Sequence, residues 1–295
     1  MSEPLVRTRG LGGFRLHALD GGRQHLDGGA MFGVVPKPLW EKRIAADARN
    51  RIPLALRCLL VETGDTLVLI DNGVGNKQDA KFLDIYGIEN ESTQGRPTRL
   101  EDALAAAGFG ADDVGIVIET HLHFDHAGGS TRINEAGRIV PAFPRARYIA
   151  QRGEYEYAHS QNERIRASYL FDNFEPLAEA GVLELVTGAH EVVPGIELLP
   201  TPGHTPHHQS VVIRSGGESA CFLADVIPTA AHLPLAWIMG YDVEPLVTLE
   251  TKRWLLERAR REGWLLVFEH DPVTAWGRLD PAEARPMLGA ANDAV

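Results

Sequence analysis

Short apolar blocks bounded by turn residues dominate the hydrophobic pattern of this chain, and each block reads as a strand. Arg57-Cys58-Leu59-Leu60-Val61-Glu62 and Thr66-Leu67-Val68-Leu69-Ile70-Asp71 flank Thr63-Gly64-Asp65, which is a β-hairpin pattern. It leaves Asp71 at a strand end, where Asn72-Gly73-Val74-Gly75 turns the chain away. Further strands are predicted over 114–118, 147–150, 183–186, 196–199, 210–213, 220–224 and 264–269. Helical signals are fewer. Thr98-Arg99-Leu100-Glu101 matches a capping box and Gly108 a stop, so 99–107 is predicted helical. Residues 245–262 predict a long helix that Gly263 ends, with Leu249, Leu256 and Ala259 on its inner face, and 152–180 a mostly helical stretch up to Gly181. Glycine pairs in 10–36 read as turns, and 76–97 reads as a long loop. No repeat or linker interrupts the pattern. We expect a single domain over 1–295, with 1–50 an N-terminal extension near the cleft or a subunit contact; a homodimer is one expectation from the apolar stretch 31–36.

Composition narrows the partners. A hydrophobic fraction of 44% with five tryptophans supports a large ordinary core. A net charge of −11 disfavours nucleic acid and anionic membranes, leaving a small-molecule substrate as the expected partner. The two cysteines, Cys58 and Cys221, lie in apolar runs and read as buried thiols. The start of the chain has no apolar core of signal-peptide length, and no run reaches a membrane span, so a soluble cytoplasmic protein is expected.

The chemistry concentrates in Thr120-His121-Leu122-His123-Phe124-Asp125-His126-Ala127-Gly128-Gly129, directly after the predicted strand 114–118. In an extended segment His121 and His123 project to one side, where two imidazoles can grip one metal ion. Asp125 and His126 follow after the turn and can face a second ion. Imidazole with carboxylate suits zinc, iron, manganese or cobalt. Three further donors sit at strand ends: His204 in Thr201-Pro202-Gly203-His204-Thr205-Pro206, then Asp225, then His270.

With these residues the chain resembles the metallo-β-lactamase superfamily from about Leu56 to Asp271, and most closely its acyl-homoserine lactonases. The lactonase likeness rests on 121–129, on Gln151-Arg152-Gly153-Glu154-Tyr155-Glu156 and on 201–210. The resemblance implies an α/β fold, a four-layer αββα sandwich with metals at one edge. It implies two divalent ions, zinc foremost, one held by His121, His123 and His204 and the other by Asp125, His126 and His270, with Asp225 on both. Asp71 matches the family's aspartate that orients a ligating imidazole, and His208 flanks the ligand turn. Two positions depart from the lactonases: His207 stands where they usually have glycine, and Pro228 where they carry a catalytic tyrosine. A hydroxide between the ions would attack a lactone or ester carbonyl, with Asp125 steering the proton. In place of the tyrosine, His232 is a candidate proton donor to the leaving oxygen, against a packing role. Phe32, Trp237, Ile238 and Tyr241 are candidate walls of a substrate pocket. An organophosphate or phosphodiester hydrolase on the same donors is the alternative, and a redox or non-catalytic metal protein the third reading.

Overall fold

The apolar blocks become strands, and where they end decides where the polar residues meet. The computed structural model describes residues 4–283 and 286–289. Its strands are β1 Val6–Leu11, β2 Phe14–Asp27, β3 Arg51–Glu62, β4 Leu67–Ile70, β5 Val114–Ile118, β6 Thr131–Ile133, β7 Ile139–Pro141 and β8 Arg147–Gln151. They continue with β9 Leu183–Val186, β10 His190–Val193, β11 Ile196–Pro200, β12 Gln209–Ser215, β13 Glu218–Phe222, β14 Leu265–Val267 and β15 Trp276–Arg278. One sheet has seven strands in the order β1-β2-β3-β4-β5-β8-β9, a second has six in the order β10 to β15, and β6 pairs with β7. The chain divides into two compact units, residues 4–23 with 56–188, and 24–55 with the residues from 189 onward.

In the first unit β4, β5, β8 and β9 run parallel, with Ile70 opposite Ile118 and Ile118 opposite Ile149. Parallel strands need apolar residues on both faces, which the blocks 67–70 and 114–118 supply. Their aligned C-terminal ends release Asp71 and Glu119 at one edge of the sheet. The helix Arg99–Ala106 carries the expected Thr98–Glu101 capping box and buries Leu100, Ala103 and Leu104 against Leu69, Val117 and Tyr148.

In the second unit β10 to β13 are antiparallel and β14 joins β13 in parallel. The helix Pro245–Glu262 covers this sheet, packing Leu255, Leu256 and Ala259 on Val212, Cys221 and Leu266. Its first turns bury Thr248 and Thr251 instead of Leu249, which is half-buried, because Gly203 lies against them. A Cβ on Gly203 would sit 2.3 Å from Thr248 Oγ1, so only glycine lets the 201–206 turn dock there. Lys252, also buried, donates to the carbonyls of His232, Pro234 and Trp237 at 2.6–3.0 Å and pins that loop.

Burial pushes the Lys252 amine down to about 7, from 10.5 when unfolded. Between those two values the unfolded chain binds the proton more strongly, so this residue makes stability rise with pH. Denaturant titrations at pH 7 and 10 should show Lys252→Met losing that part of the rise; an unaltered pH slope would exclude the assignment.

The N-terminal residues 6–27 supply two strands of the seven-stranded sheet. Three sequence expectations change. Gly21 and Gly22 lie inside β2, where a Cβ on Gly21 would meet Leu56 O at 2.5 Å and one on Gly22 Glu89 O at 2.6 Å. These glycines serve close backbone approach, whereas Gly12-Gly13 does form a turn. Within 76–97 the helix Ala80–Tyr86 appears, capped by Asp79 on Phe82 N and stopped by Gly87 at φ 58°. Within 152–180 the helices are Arg152–Ala158 and Glu175–Glu179, with turns between. No helix among the described residues is long and apolar enough to cross a membrane.

Candidate metal centre

The first unit gathers four donors in the loop after β5. Asp71, buried at φ 53°, accepts from Thr120 N at 2.8 Å and Thr120 Oγ1 at 2.7 Å. A left-handed aspartate costs backbone strain, which these bonds offset. Its Oδ2 also accepts from His126 Nδ1 at 3.0 Å, which leaves His126 Nε2 with a lone pair, 3.8 Å from Asp125 Oδ1. His121 Nδ1 sits 3.1 Å from Thr120 Oγ1, and its Nε2 lies 3.1 Å from His123 Nδ1. Two pairs of donor atoms therefore lie close together, His121 Nε2 with His123 Nδ1 and His126 Nε2 with Asp125 Oδ1.

Supporting residues that sequence reasoning missed hold this loop. Asn72 Nδ2 donates to Glu119 Oε1 at 3.0 Å and to Ser130 Oγ at 2.7 Å, and Ser130 Oγ also bonds Glu119. Burial, with Asp71 nearby, pushes the Glu119 carboxyl up to about 8. Glu154 accepts from Leu122 N at 3.2 Å and from the Tyr169 hydroxyl at 2.6 Å, and the Tyr169 ring packs edge-on to His123. Gly128 and Gly129 are required by contact and not by a positive φ. Added Cβ atoms would stand 2.4 Å from Val74 O and 2.1 Å from Asn72 O.

The second unit presents Asp225 between two histidines. His204 Nδ1 is 2.9 Å from Asp242 Oδ1, and its Nε2 is 3.1 Å from Asp225 Oδ2. His270 Nδ1 is 2.8 Å from Ala55 O, which can only accept, so this nitrogen carries the proton. His270 Nε2 then holds a lone pair 3.1 Å from Asp225 Oδ1. Each Asp225 oxygen thus confronts an imidazole nitrogen whose other side is already committed. Two imidazoles flanking one carboxylate, each with its Nδ1 already engaged, are a donor set that fits divalent ions. Asp225 does not close β13 but follows it in the 3-10 turn Ala224–Val226, entered through Ala224 at φ 47°. His208 steadies it, accepting from Asp225 N at 3.2 Å while its Nδ1 donates to Thr201 O at 3.1 Å. Asp242 was not singled out from sequence. It lies 38 residues from its partner in a loop with no motif.

Comparison with known proteins bears on the same stretch. The family model of the metallo-beta-lactamase superfamily matches residues 52–270. The chain belongs to that superfamily. An N-acyl homoserine lactonase of Bacillus thuringiensis is 31% identical over 228 residues, 74% of this chain and 82% of that protein. A probable metal-dependent hydrolase from Staphylococcus aureus superposes with a TM-score of 0.86 at 31% identity, covering 96% of this chain and 99% of that one. An N-acyl homoserine lactone hydrolase, solved with N-hexanoyl-L-homoserine at its catalytic metal center, matches at TM-score 0.64 and 26% identity over 91% of this chain and 95% of that one. The fold is the metallo-β-lactamase fold, and the protein stands among the metal-dependent hydrolases of that superfamily.

Within this superfamily member the remaining expected residues separate. His232 is fully buried, its Nε2 donating to Met31 O at 2.8 Å and its Nδ1 2.8 Å from Thr229 Oγ1. Burial pushes the imidazole down to about 3, and its ring stacks on Phe32 at 4.5 Å. With both nitrogens spent, His232 is a packing residue and the catalytic expectation is corrected. Phe32 is corrected likewise: it is 0% exposed, in a core cluster with Met31, Trp40, Ile52 and Met239. Of the other three, Trp237 lines an open pocket, Ile238 is half-buried and Tyr241 is 40% exposed. His17, expected at the surface, is buried and 2.9 Å from Thr8 Oγ1. Cys58 and Cys221 are buried free thiols as expected.

Proposed function

We propose that the protein is a dinuclear metal-dependent lactonase, acting on lactones of the N-acyl homoserine class that its relatives' names carry. In this reading His121, His123 and His204 serve one ion, Asp125, His126 and His270 serve the other, and Asp225 serves both. Zinc is the favoured metal, with iron, manganese or cobalt able to use the same donors. The observation that carries the reading is Asp225, whose two oxygens each stand 3.1 Å from the Nε2 of a different histidine. Two bound divalent ions would generate a nucleophile from water near neutral pH and polarise the lactone carbonyl.

The chain's own residues do the rest. Asp71 and Asp242 orient His126 and His204 through Nδ1 and keep each Nε2 available as a ligand. Asp125, placed beside His126 Nε2, takes and passes the proton as the ring opens. Both thiols are buried, and burial pushes that of Cys221 up to about 12, so neither offers a competing nucleophile. Pro228, standing in the place of the lactonase tyrosine, offers only its carbonyl, which accepts from His270 N at 3.0 Å.

Elemental analysis joined to a panel of lactones, simple esters and phosphotriesters tests the proposal. Two ions per chain and preferred lactone turnover are expected. One ion at full activity, or a preference for phosphotriesters, overturns it.

A further inference from the structure

The second unit contains a cavity of about 880 Å³, within the roughly 300–1,000 Å³ typical of small-molecule sites. Ile44, Ala231, Leu233, Leu235, Trp237 and Leu288 give it apolar walls. Two charged side chains border it, and they differ in kind. Asp271 is saturated by backbone donors, accepting from Ala230 N at 2.9 Å, Val273 N at 3.0 Å and Thr274 N at 2.6 Å. Arg43 is exposed, its guanidinium carbon 5.9 Å from the Trp237 ring centroid, and among the described residues no carboxylate pairs with it. The wall 232–237 is not a collapsed loop, because Lys252 holds three of its carbonyls and keeps the cavity open.

We propose that this cavity binds an amphipathic carboxylate: an aliphatic chain against the apolar walls, its carboxylate on Arg43. The cavity's area suits hydrocarbon, while a planar guanidinium braced on an indole face presents a two-pronged donor that matches a carboxylate. In a chain of net charge −11, an anionic ligand comes here for a local reason and not through the overall field. The site rests on residues 43–44, 230–231, 233–237, 271–274 and 286–288 and needs no assumption about the metal chemistry.

Decanoate and decanol, which differ only at the head group, are the probes for isothermal calorimetry on the metallated protein. Decanoate should bind once per chain, and decanol at least tenfold more weakly. Arg43→Gln should weaken decanoate by roughly tenfold to a hundredfold, the worth of a charge-assisted pair, and leave decanol unchanged. Ala231→Trp, which fills the cavity, should abolish both, with thermal melting confirming that each variant is folded. Equal binding of the two probes, or decanoate binding indifferent to both substitutions, overturns the proposal. So does a dimer that Ala231→Trp dissociates while decanoate fails to bind, since the cavity would then receive a second copy of the chain.

Discussion

Asp225→Ala is expected to release one of two divalent ions and to lower lactone turnover by about 10³-fold, some 4 kcal/mol of transition-state stabilisation. The expectation follows from position. Every other proposed donor serves a single ion, whereas the Asp225 oxygens face His204 and His270 separately. Removing the carboxylate also removes a negative charge that offsets two dications, so the weaker-held ion leaves first. Asp71→Ala and Asp242→Ala should each cost less, roughly 10–100-fold in metal affinity, because they act through His126 and His204. Metal content and kcat measured on the three variants decide the matter. If Asp71→Ala or Asp242→Ala proves more damaging than Asp225→Ala, the assignment of ligand and supporting roles is wrong.

Phe32→Ala is expected to lower stability by about 3–5 kcal/mol, the cost of deleting a buried aromatic ring. Phe32 stacks on His232 at 4.5 Å and on Trp40 at 5.4 Å, and meets Trp237 edge-on at 5.6 Å. Its loss would also free His232 and loosen the carbonyl of Met31 that this histidine holds. The phenotype should be a lower denaturation midpoint with KM for a lactone little changed at a temperature where the variant is folded. A large KM change on an undiminished stability would restore Phe32 as a pocket wall.

The strand-end donors were legible because their signal is local. Strands 67–70 and 114–118 read as apolar runs, and the polar residues directly after them could only lie at strand ends. Asp71 requires a further step, the family likeness, which implies that it orients a ligating imidazole; the imidazole it meets, at 3.0 Å, is that of His126. What stayed hidden depends on tertiary approach. Gly21 and Gly22 resemble turn glycines in sequence but sit mid-strand, where a neighbouring carbonyl excludes a Cβ. His232 looked like a spare acid near a ligand loop. Its partner, the carbonyl of Met31, lies 201 residues away, beyond any pattern a window can hold. Asp242 and Glu154 were missed for the same reason, since a carboxylate's acceptor role leaves no periodic trace.

That long reach between Met31 and His232 has a bearing on biosynthesis. Met31, Phe32, Val35 and Trp40 share their core with Met239, about two hundred residues downstream. At roughly 5–20 residues per second, the apolar segment waits about 10–40 s before Met239, the distant member of its core, is made. During that interval the apolar stretch Met31 to Leu54 lacks Met239 to complete its core, a natural substrate for a holding chaperone. Production in cells should therefore depend on translation speed and chaperone supply more than the stability of the finished enzyme suggests.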